Sequence, residues 1–185
     1  MTRRALPLAL AAAIALGLAA CPLPQPVPDV ARTVDGGAIT TPIILPDSAV
    51  PGDVTVFVRT DCAAPGPAFA LSATVEDVDT SEGVDARWFV DYRPEIPAGF
   101  VGTTGVPASG DPNDPLRPVA PFTFRPYNFD GAVRAGTHVV DLVVSNNFLG
   151  LDDPTPPRQR AAQSPFQTQI YRWVFQYDDP RGRCQ

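Results

Sequence analysis

The densest group of side chains able to do chemistry is a set of carboxylates in two distant segments. Residues 76–85 read Glu-Asp-Val-Asp-Thr-Ser-Glu-Gly-Val-Asp, and residues 152–153 are Asp-Asp. Ca²⁺ takes carboxylate oxygens as ligands, so a fold that joins these segments would offer a calcium site. The candidate ligands are Glu76, Asp77, Asp79, Glu82, Asp85, Asp152 and Asp153. No EF-hand spacing is present, and the favoured alternative is a solvated acidic loop whose Asp and Gly residues form turns.

The chain has one histidine, His138, which limits the catalytic arrangements available to it. His138 lies in an alternating segment, Thr137 to Ser145, which predicts a half-buried, hydrogen-bonded side chain. The sequence contains no GxSxG, SxxK or HExxH motif, and no GxGxxG or phosphate-binding loop. Two of the acidic residues could in principle form the carboxylate pair of a glycoside hydrolase, but nothing in the sequence fixes the distance between them. We therefore predict no catalytic residue and expect a non-enzymatic protein.

The N-terminus combines a positive start, Arg3 and Arg4, with an apolar run from Ala5 to Ala20. The central part of that run is too short to span a bilayer. The run ends in Leu18-Ala19-Ala20-Cys21, which resembles the lipobox of bacterial lipoproteins. The resemblance implies cleavage of a signal peptide at residues 1–20 and a lipid on the Cys21 thiol. Ordinary secretory cleavage is the alternative.

The lipobox resemblance also implies a location in the bacterial cell envelope, with Cys21 and its acyl chains holding the protein on a membrane. Pro22 follows Cys21 instead of the Asp that retains some lipoproteins in the inner membrane, so we expect the outer membrane. Several acyl chains give stable anchoring. The net charge of −6 disfavours nucleic acid as a partner.

Two cysteines remain after Cys21, namely Cys62 and Cys184. In an exported chain an even remaining pair predicts one disulfide. Its closure of a long loop would contribute about 3–5 kcal/mol in the chain-entropy description. A redox or metal-binding pair is the alternative, but there is no CxxC motif.

The residues after Cys21 divide into two regions of different composition. Residues 22–30 alternate proline with other residues, which predicts polyproline II and a tether over 21–49. A proline-rich ligand motif is the alternative. From about Pro42 the pattern changes to short alternating segments, and we assign residues 50–185 to one folded domain.

The alternating segments predict an all-β fold. Five segments are predicted strands: 54–60, 69–75, 86–92, 137–145 and 169–177. A sixth at 122–127 is weaker, and 41–45 is a candidate edge strand. Several short strands with irregular loops indicate a β-sandwich. The aromatic row on the last strand, Tyr171 to Tyr177, is predicted to belong to the core; a sugar-stacking platform is the alternative.

Residues 136–146, Gly-Thr-His-Val-Val-Asp-Leu-Val-Val-Ser-Asn, resemble the penultimate strand of PKD-like and other immunoglobulin-like domains. Trp88 lies where such domains carry an aromatic on strand C. The resemblance implies an immunoglobulin-like sandwich with strands A at 53–60, B at 68–77, C at 85–92, E near 122–127, F at 137–145 and G at 168–177. It also implies that A and G run parallel and that the B–C and F–G loops share one end.

Two long segments, 99–121 and 147–164, are predicted to be irregular. The second holds apolar and basic side chains that suit a protein contact, and the predicted partner-binding residues are Phe148, Leu149, Leu151, Arg158 and Arg160. Mere variation in loop length is the alternative. We expect a non-enzymatic binding or structural module in an envelope protein assembly. The alternative function is a calcium-dependent adhesion or glycan-binding domain.

Overall fold

A computed structural model describes residues 40–59, 68–95, 98–126 and 136–178. These residues form nine strands in two sheets and, within the described ranges, no helix. The strands are β1 (Ile43–Val50), β2 (Thr55–Arg59), β3 (Phe69–Glu76), β4 (Val84–Arg93), β5 (Ala98–Val106), β6 (Leu116–Pro118), β7 (Phe122–Phe124), β8 (Gly136–Ser145) and β9 (Gln169–Asp178). The predicted all-β sandwich is confirmed.

The two sheets have different sizes and strand orders. The smaller sheet has the order β1-β3-β6, with β7 also paired to β3, and the larger has the order β2-β9-β8-β4-β5. Strand β2 runs parallel to β9, whereas the other pairs in that sheet are antiparallel. The parallel β2–β9 pair is the A–G arrangement that the immunoglobulin-like resemblance implies. The predicted strands at 53–60, 68–77, 85–92, 137–145 and 168–177 all appear in the structure.

Two strands, β5 and β6, are additional to the predicted set. The irregular segment predicted at 99–121 is wrong, because β5 and β6 occupy much of it. Strand β5 reads Ala-Gly-Phe-Val-Gly-Thr-Thr-Gly-Val, and its three glycines weaken the apolar alternation that marks a strand. The candidate edge strand at 41–45 is confirmed as part of β1, which pairs antiparallel with β3. The sandwich therefore begins before residue 50.

The core lies between the sheets and is built around two tryptophans. The Trp88 ring on β4 stacks on the Trp173 ring on β9, with centroids 5.9 Å apart, and on Phe122 at 5.2 Å. Trp173, Phe175 and Tyr177 are buried, and Tyr171 packs against the same cluster. The aromatic row on the last strand therefore belongs to the core, as predicted.

The leader at 1–20, residues 21–39 of the predicted tether and all three cysteines lie outside the described residues, whereas residues 43–49 of the predicted tether belong to β1. The predictions for Cys21, Cys62 and Cys184 therefore remain predictions. Within the described ranges no helix is long and apolar enough to cross a membrane.

Burial in this core predicts a stability difference between two leucines in strands. Leu142 is fully buried on β8, whereas Leu116 on β6 is 47% exposed. Leu142→Ala is expected to lower the free energy of unfolding by about 2–5 kcal/mol, because it removes apolar contacts and leaves a cavity. Leu116→Ala, the matched control, should change it by less than about 1 kcal/mol. Urea unfolding followed by tryptophan fluorescence measures both; equal losses would contradict the assignment of the core.

Candidate functional site

The long loop after β8, residues 146–168, folds back on itself instead of projecting from the sandwich. The Leu149 N–H donates to the Ala161 carbonyl, and the Gln163 N–H donates to the Asn147 carbonyl, both at 2.9 Å. Between these two bonds Phe148 and Ala162 form an antiparallel bridge. The two arms of the loop therefore pair like a short hairpin, and we call residues 146–168 the hairpin loop.

The hairpin loop covers a second apolar cluster on the outer face of the larger sheet. Phe89, Val143 and Phe148 are buried together, with Tyr92 and Phe100 packed against them. Phe89 and Val143 alternate along their strands with the core residues, so their side chains leave the opposite side of the sheet. Without the loop this apolar surface would face water. Burying it gives the loop a hydrophobic reason to lie there.

Arg87 on β4 joins the sheet to both arms of the hairpin loop. Its guanidinium donates to the Gln159 carbonyl at 2.7 Å and to the Leu149 carbonyl at 2.9 Å. It also lies over the Phe148 ring, 4.2 Å from the centroid. Burial lowers the pKa of Arg87, an effect that the Asp85 carboxylate opposes. Arginine keeps its proton nonetheless, so the loop carbonyls satisfy a charged donor.

Asp141 on β8 is the carboxylate that fixes the hairpin loop from the other side. Its Oδ2 accepts a hydrogen bond from Arg160 of the loop at 2.7 Å. Arg172 on β9 donates to the same carboxylate through Nε at 2.7 Å and Nη2 at 3.0 Å. Asp141 and Arg160 are buried, whereas the Arg172 side chain is 55% exposed. The hydrogen bond to Asp141 raises the pKa of Arg172.

Arg160 packs on two aromatic rings in addition to its ion pair with Asp141. Its guanidinium lies 3.6 Å from the Tyr92 ring centroid and 4.4 Å from that of Phe89. Burial lowers the pKa of Arg160, and Asp141 opposes that shift. The Tyr92 hydroxyl donates to the Arg158 carbonyl at 2.6 Å, which attaches a second residue of the hairpin loop to β4. Burial raises the pKa of this phenol, so Tyr92 stays neutral and keeps its donor.

The five residues predicted to bind a partner therefore have different environments. Phe148 and Arg160 are buried and make contacts within the chain. Leu149 and Arg158 are half-buried, and Leu151 is 39% exposed at the turn of the hairpin loop. Of the three apolar residues in this set, Leu151 is the most exposed to solvent. Phe148 and Arg160 hold the loop in place and are not open to a partner.

The acidic end of the sandwich is organised by an arginine. The Asp77 carboxylate forms a buried ion pair with Arg117 at 3.0 Å. It also accepts hydrogen bonds from the Thr40 hydroxyl at 2.9 Å, the Asn146 amide at 2.8 Å and the Asp79 N–H at 3.1 Å. These four donors fill the acceptor capacity of one carboxylate. The Asn146 contact confirms that the β3–β4 turn and the hairpin loop share one end of the sandwich.

Arg117 also donates hydrogen bonds to backbone carbonyl oxygens that could otherwise be ligands of Ca²⁺. It donates to the Glu82 carbonyl at 2.6 Å and to the Asp79 carbonyl at 3.1 Å. A guanidinium thus lies among one carboxylate and backbone oxygens, the donor set that Ca²⁺ prefers. Asp77 can offer an oxygen to calcium only by giving up one of its present donors.

The remaining candidate metal ligands are engaged locally or face solvent. Asp79 accepts hydrogen bonds from the Ser81 hydroxyl and N–H, which lower its pKa. Asp153 accepts one from the Thr155 N–H, and hydrogen bonding to the Thr155 side chain and then to its backbone lowers the pKa of Asp153. Glu76 is half-buried, and Asp152, Glu82 and Asp85 are exposed. The described residues contain no group of three or more His, Cys, Asp or Glu arranged to hold a metal ion.

His138 has the environment that its strand position predicts. Its side chain is half-buried, and Nδ1 lies 2.7 Å from Asp91 Oδ2. Asp91 also accepts from the Val139 N–H at 2.8 Å. Burial alone raises the pKa of Asp91, but the hydrogen bonds from His138 and Val139 outweigh it, and the pKa lies below its ordinary value. The pair links β4 to β8 and supports the structural interpretation of His138.

The strand residues of the network that holds the hairpin loop were not singled out from the sequence. Arg87, Asp141 and Arg172 occupy outer-face positions of three adjacent strands. A charge inside the apolar run Val139–Val144 was the available signal, because Asp rarely lies in a strand of such a run unless it is paired. Its partners come from different parts of the chain and could not be read from spacing.

The sequence matches no protein-family model, and no curated protein matches it. Function must therefore be argued from the geometry of the described residues.

The Asp141 cluster predicts an asymmetry between two acids near the hairpin loop. Asp141→Asn is expected to lower the free energy of unfolding by about 3 kcal/mol, because it leaves the buried Arg160 charge without its counter-ion. Asp152→Asn changes an exposed acid of the loop itself and should have an effect of about 0.5 kcal/mol or less. Chemical unfolding of the two variants beside the wild type measures the difference. A loss under about 1 kcal/mol for Asp141→Asn would contradict the role given to this carboxylate.

Proposed function

We propose that this chain is a lipid-anchored protein of the bacterial cell envelope, most simply of the outer membrane. In this proposal its β-sandwich is a non-enzymatic binding or structural module in an envelope protein assembly. The hairpin loop provides the contact surface, and the Cys21 lipid and the proline-rich tether place that surface near a membrane. The anchor part of the proposal is supported by the lipobox resemblance alone.

The single observation that carries the binding role is the preorganisation of the hairpin loop. Arg87, Arg160 and Tyr92 attach it to the sheet at three points. A loop already held in one conformation loses little entropy when it binds a partner. Long loops on a rigid sandwich are a usual place for binding residues.

The exposed side of the hairpin loop has the chemistry of a protein contact. Leu151 supplies an exposed apolar group at the turn. Pro154, Pro156 and Pro157 are exposed beside it and restrict the backbone further. On the neighbouring strand the half-exposed guanidinium of Arg172 stays fixed by Asp141. Apolar groups with a positioned arginine are typical of protein interfaces.

The calcium-dependent alternative has less support from the geometry. Arg117 already supplies a positive charge where the acidic β3–β4 turn and the hairpin loop meet. A sugar-stacking role for the last strand would need exposed rings, and Trp173 and Phe175 are fully buried. We therefore retain the protein-binding proposal.

Site-specific photocrosslinking in intact cells tests this proposal. A photoreactive residue at position 151 is expected to crosslink one envelope protein, whereas the same residue at position 116 should not. Leu116 is the matched control because it is similarly exposed but lies in the other sheet. Cys21→Ala is expected to move the chain from the membrane fraction to the soluble fraction and to abolish the crosslink. Equal crosslinks from positions 151 and 116, or none from 151, would contradict the proposed contact surface.

A further inference from the structure

Strand β5 ends the larger sheet, and among the described residues one side of its backbone is unpaired. It pairs antiparallel with β4, and no other strand of the described ranges pairs with it. An unpaired edge presents a row of N–H and C=O groups that can accept a further strand. The question is whether this edge is blocked, as most natural edges are.

The edge has none of the usual protective residues. Residues Ala98–Val106 include no charged residue and no proline, the two commonest blocking devices. Register shifts against β4 affect the first part of β5, up to Gly102. From Gly102 to Val106 the register is regular, pairing with Trp88 back to Val84. Five consecutive residues therefore form a regular, uncharged edge.

The backbone direction along this edge can be assigned. A β-carbon built on Gly83 would lie 3.3 Å from the Val106 carbonyl oxygen, so that carbonyl points towards β4. Because backbone direction alternates along a strand, the polar groups of Thr103 and Gly105 point to the free side. Both residues are exposed, whereas Gly102 before them and Thr104 between them are half-buried.

Glycine at this edge has no explanation within the chain. A β-carbon added at Gly102 or Gly105 would meet no atom within 4 Å, and neither residue has a positive φ. Neither close packing nor backbone conformation therefore requires glycine there. What glycine does provide is an uncovered backbone at the free edge.

The charges near the regular part of the edge are acidic. Glu82 and Asp85 are exposed and flank Val84, the partner of Val106. Asp111 and Asp114 follow β5 and are also exposed. Arg87 and Arg117 near this part of the edge are buried, and the exposed Arg93 lies opposite Ala98 at the irregular start of β5. Charge complementarity therefore favours a basic strand, and the net charge of −6 disfavours a second copy of this chain.

We propose that the β5 edge, Gly102–Val106, binds an extended basic segment of a partner protein as an added strand. Backbone hydrogen bonds to Thr103 and Gly105 would provide affinity, and the acidic rim would select for basic residues. This surface is separate from the exposed turn of the hairpin loop, so either proposal can fail without the other.

Two synthetic peptides test the proposal directly on the folded protein. The first reads Lys-Thr-Val-Thr-Val-Lys and the second reads Glu-Thr-Val-Thr-Val-Glu, both with blocked termini. Amide NMR spectra are recorded as each peptide is added. The basic peptide is expected to bind saturably, to shift the Thr103 and Gly105 amides and to slow their exchange. The acidic peptide should bind at least about tenfold more weakly.

Three variants separate edge binding from other effects. Gly105→Pro removes an outward N–H without costing a bond to β4, and it should weaken binding at least about tenfold. Gly105→Ala, the matched control, keeps the N–H and adds only a methyl group in open space, so it should weaken binding far less than Gly105→Pro does. Leu151→Ser should leave peptide binding unchanged, which keeps this test independent of the hairpin loop. If Gly105→Pro fails to fold, Thr103→Lys replaces it, since a lysine on the edge repels the basic peptide.

Three results would overturn the proposal. They are no binding of the basic peptide to the wild type, undiminished binding to Gly105→Pro or its replacement, and binding of the acidic peptide as tight as that of the basic one. Protection of Thr103 and Gly105 that rises with protein concentration in the absence of peptide would show a second copy on the edge, and it would overturn the choice of occupant.

Discussion

A buried guanidinium must be supplied with acceptors, because arginine keeps its charge at any pH that the fold survives. The outer face of the larger sheet follows from this requirement. Arg87 of the sheet obtains two carbonyl oxygens from the hairpin loop, and Arg160 of the loop obtains a carboxylate from Asp141 of the sheet. The loop therefore supplies acceptors to Arg87 of the sheet, and the sheet supplies a carboxylate to Arg160 of the loop. Detaching the loop would deprive both guanidinium groups of these acceptors. Both guanidinium groups also pack on the apolar cluster, Arg87 over the Phe148 ring and Arg160 over the Phe89 ring.

The same requirement organises the acidic end of the sandwich. Arg117 is buried and takes the Asp77 carboxylate together with carbonyl oxygens of the β3–β4 turn. Arg117 thus supplies the positive charge next to the Asp77 carboxylate and the turn carbonyls, the position that a bound metal ion would otherwise occupy. The consequence is an end of the sandwich held by internal ion pairing, with the remaining carboxylates at its surface.

Periodicity predicted the sandwich, and it failed where side chains were missing or paired over long distances. Strands β3, β4, β8 and β9 alternate clearly, and the aromatic row on β9 belongs to the core as predicted, where Trp173 stacks on Trp88. Strand β5 was not predicted, because its three glycines have no side chains and so do not show which residues face the core. Phe148 and Arg160 were predicted to contact a partner, because the sequence of a loop does not indicate which sheet surface the loop covers. Asp141 showed an anomaly in an apolar strand, but spacing could not reveal its partners, Arg160 and Arg172.

The central claim is that the hairpin loop is a fixed part of the domain, and native-state hydrogen exchange tests it most directly. The Leu149 and Gln163 amides donate the two bonds that close the loop. If the loop is held as described, both should exchange at least about a hundredfold more slowly than an unstructured peptide. The Leu142 amide on β8 serves as the reference for the folded core. Exchange of Leu149 and Gln163 at the unprotected rate, with Leu142 still protected, would contradict the account.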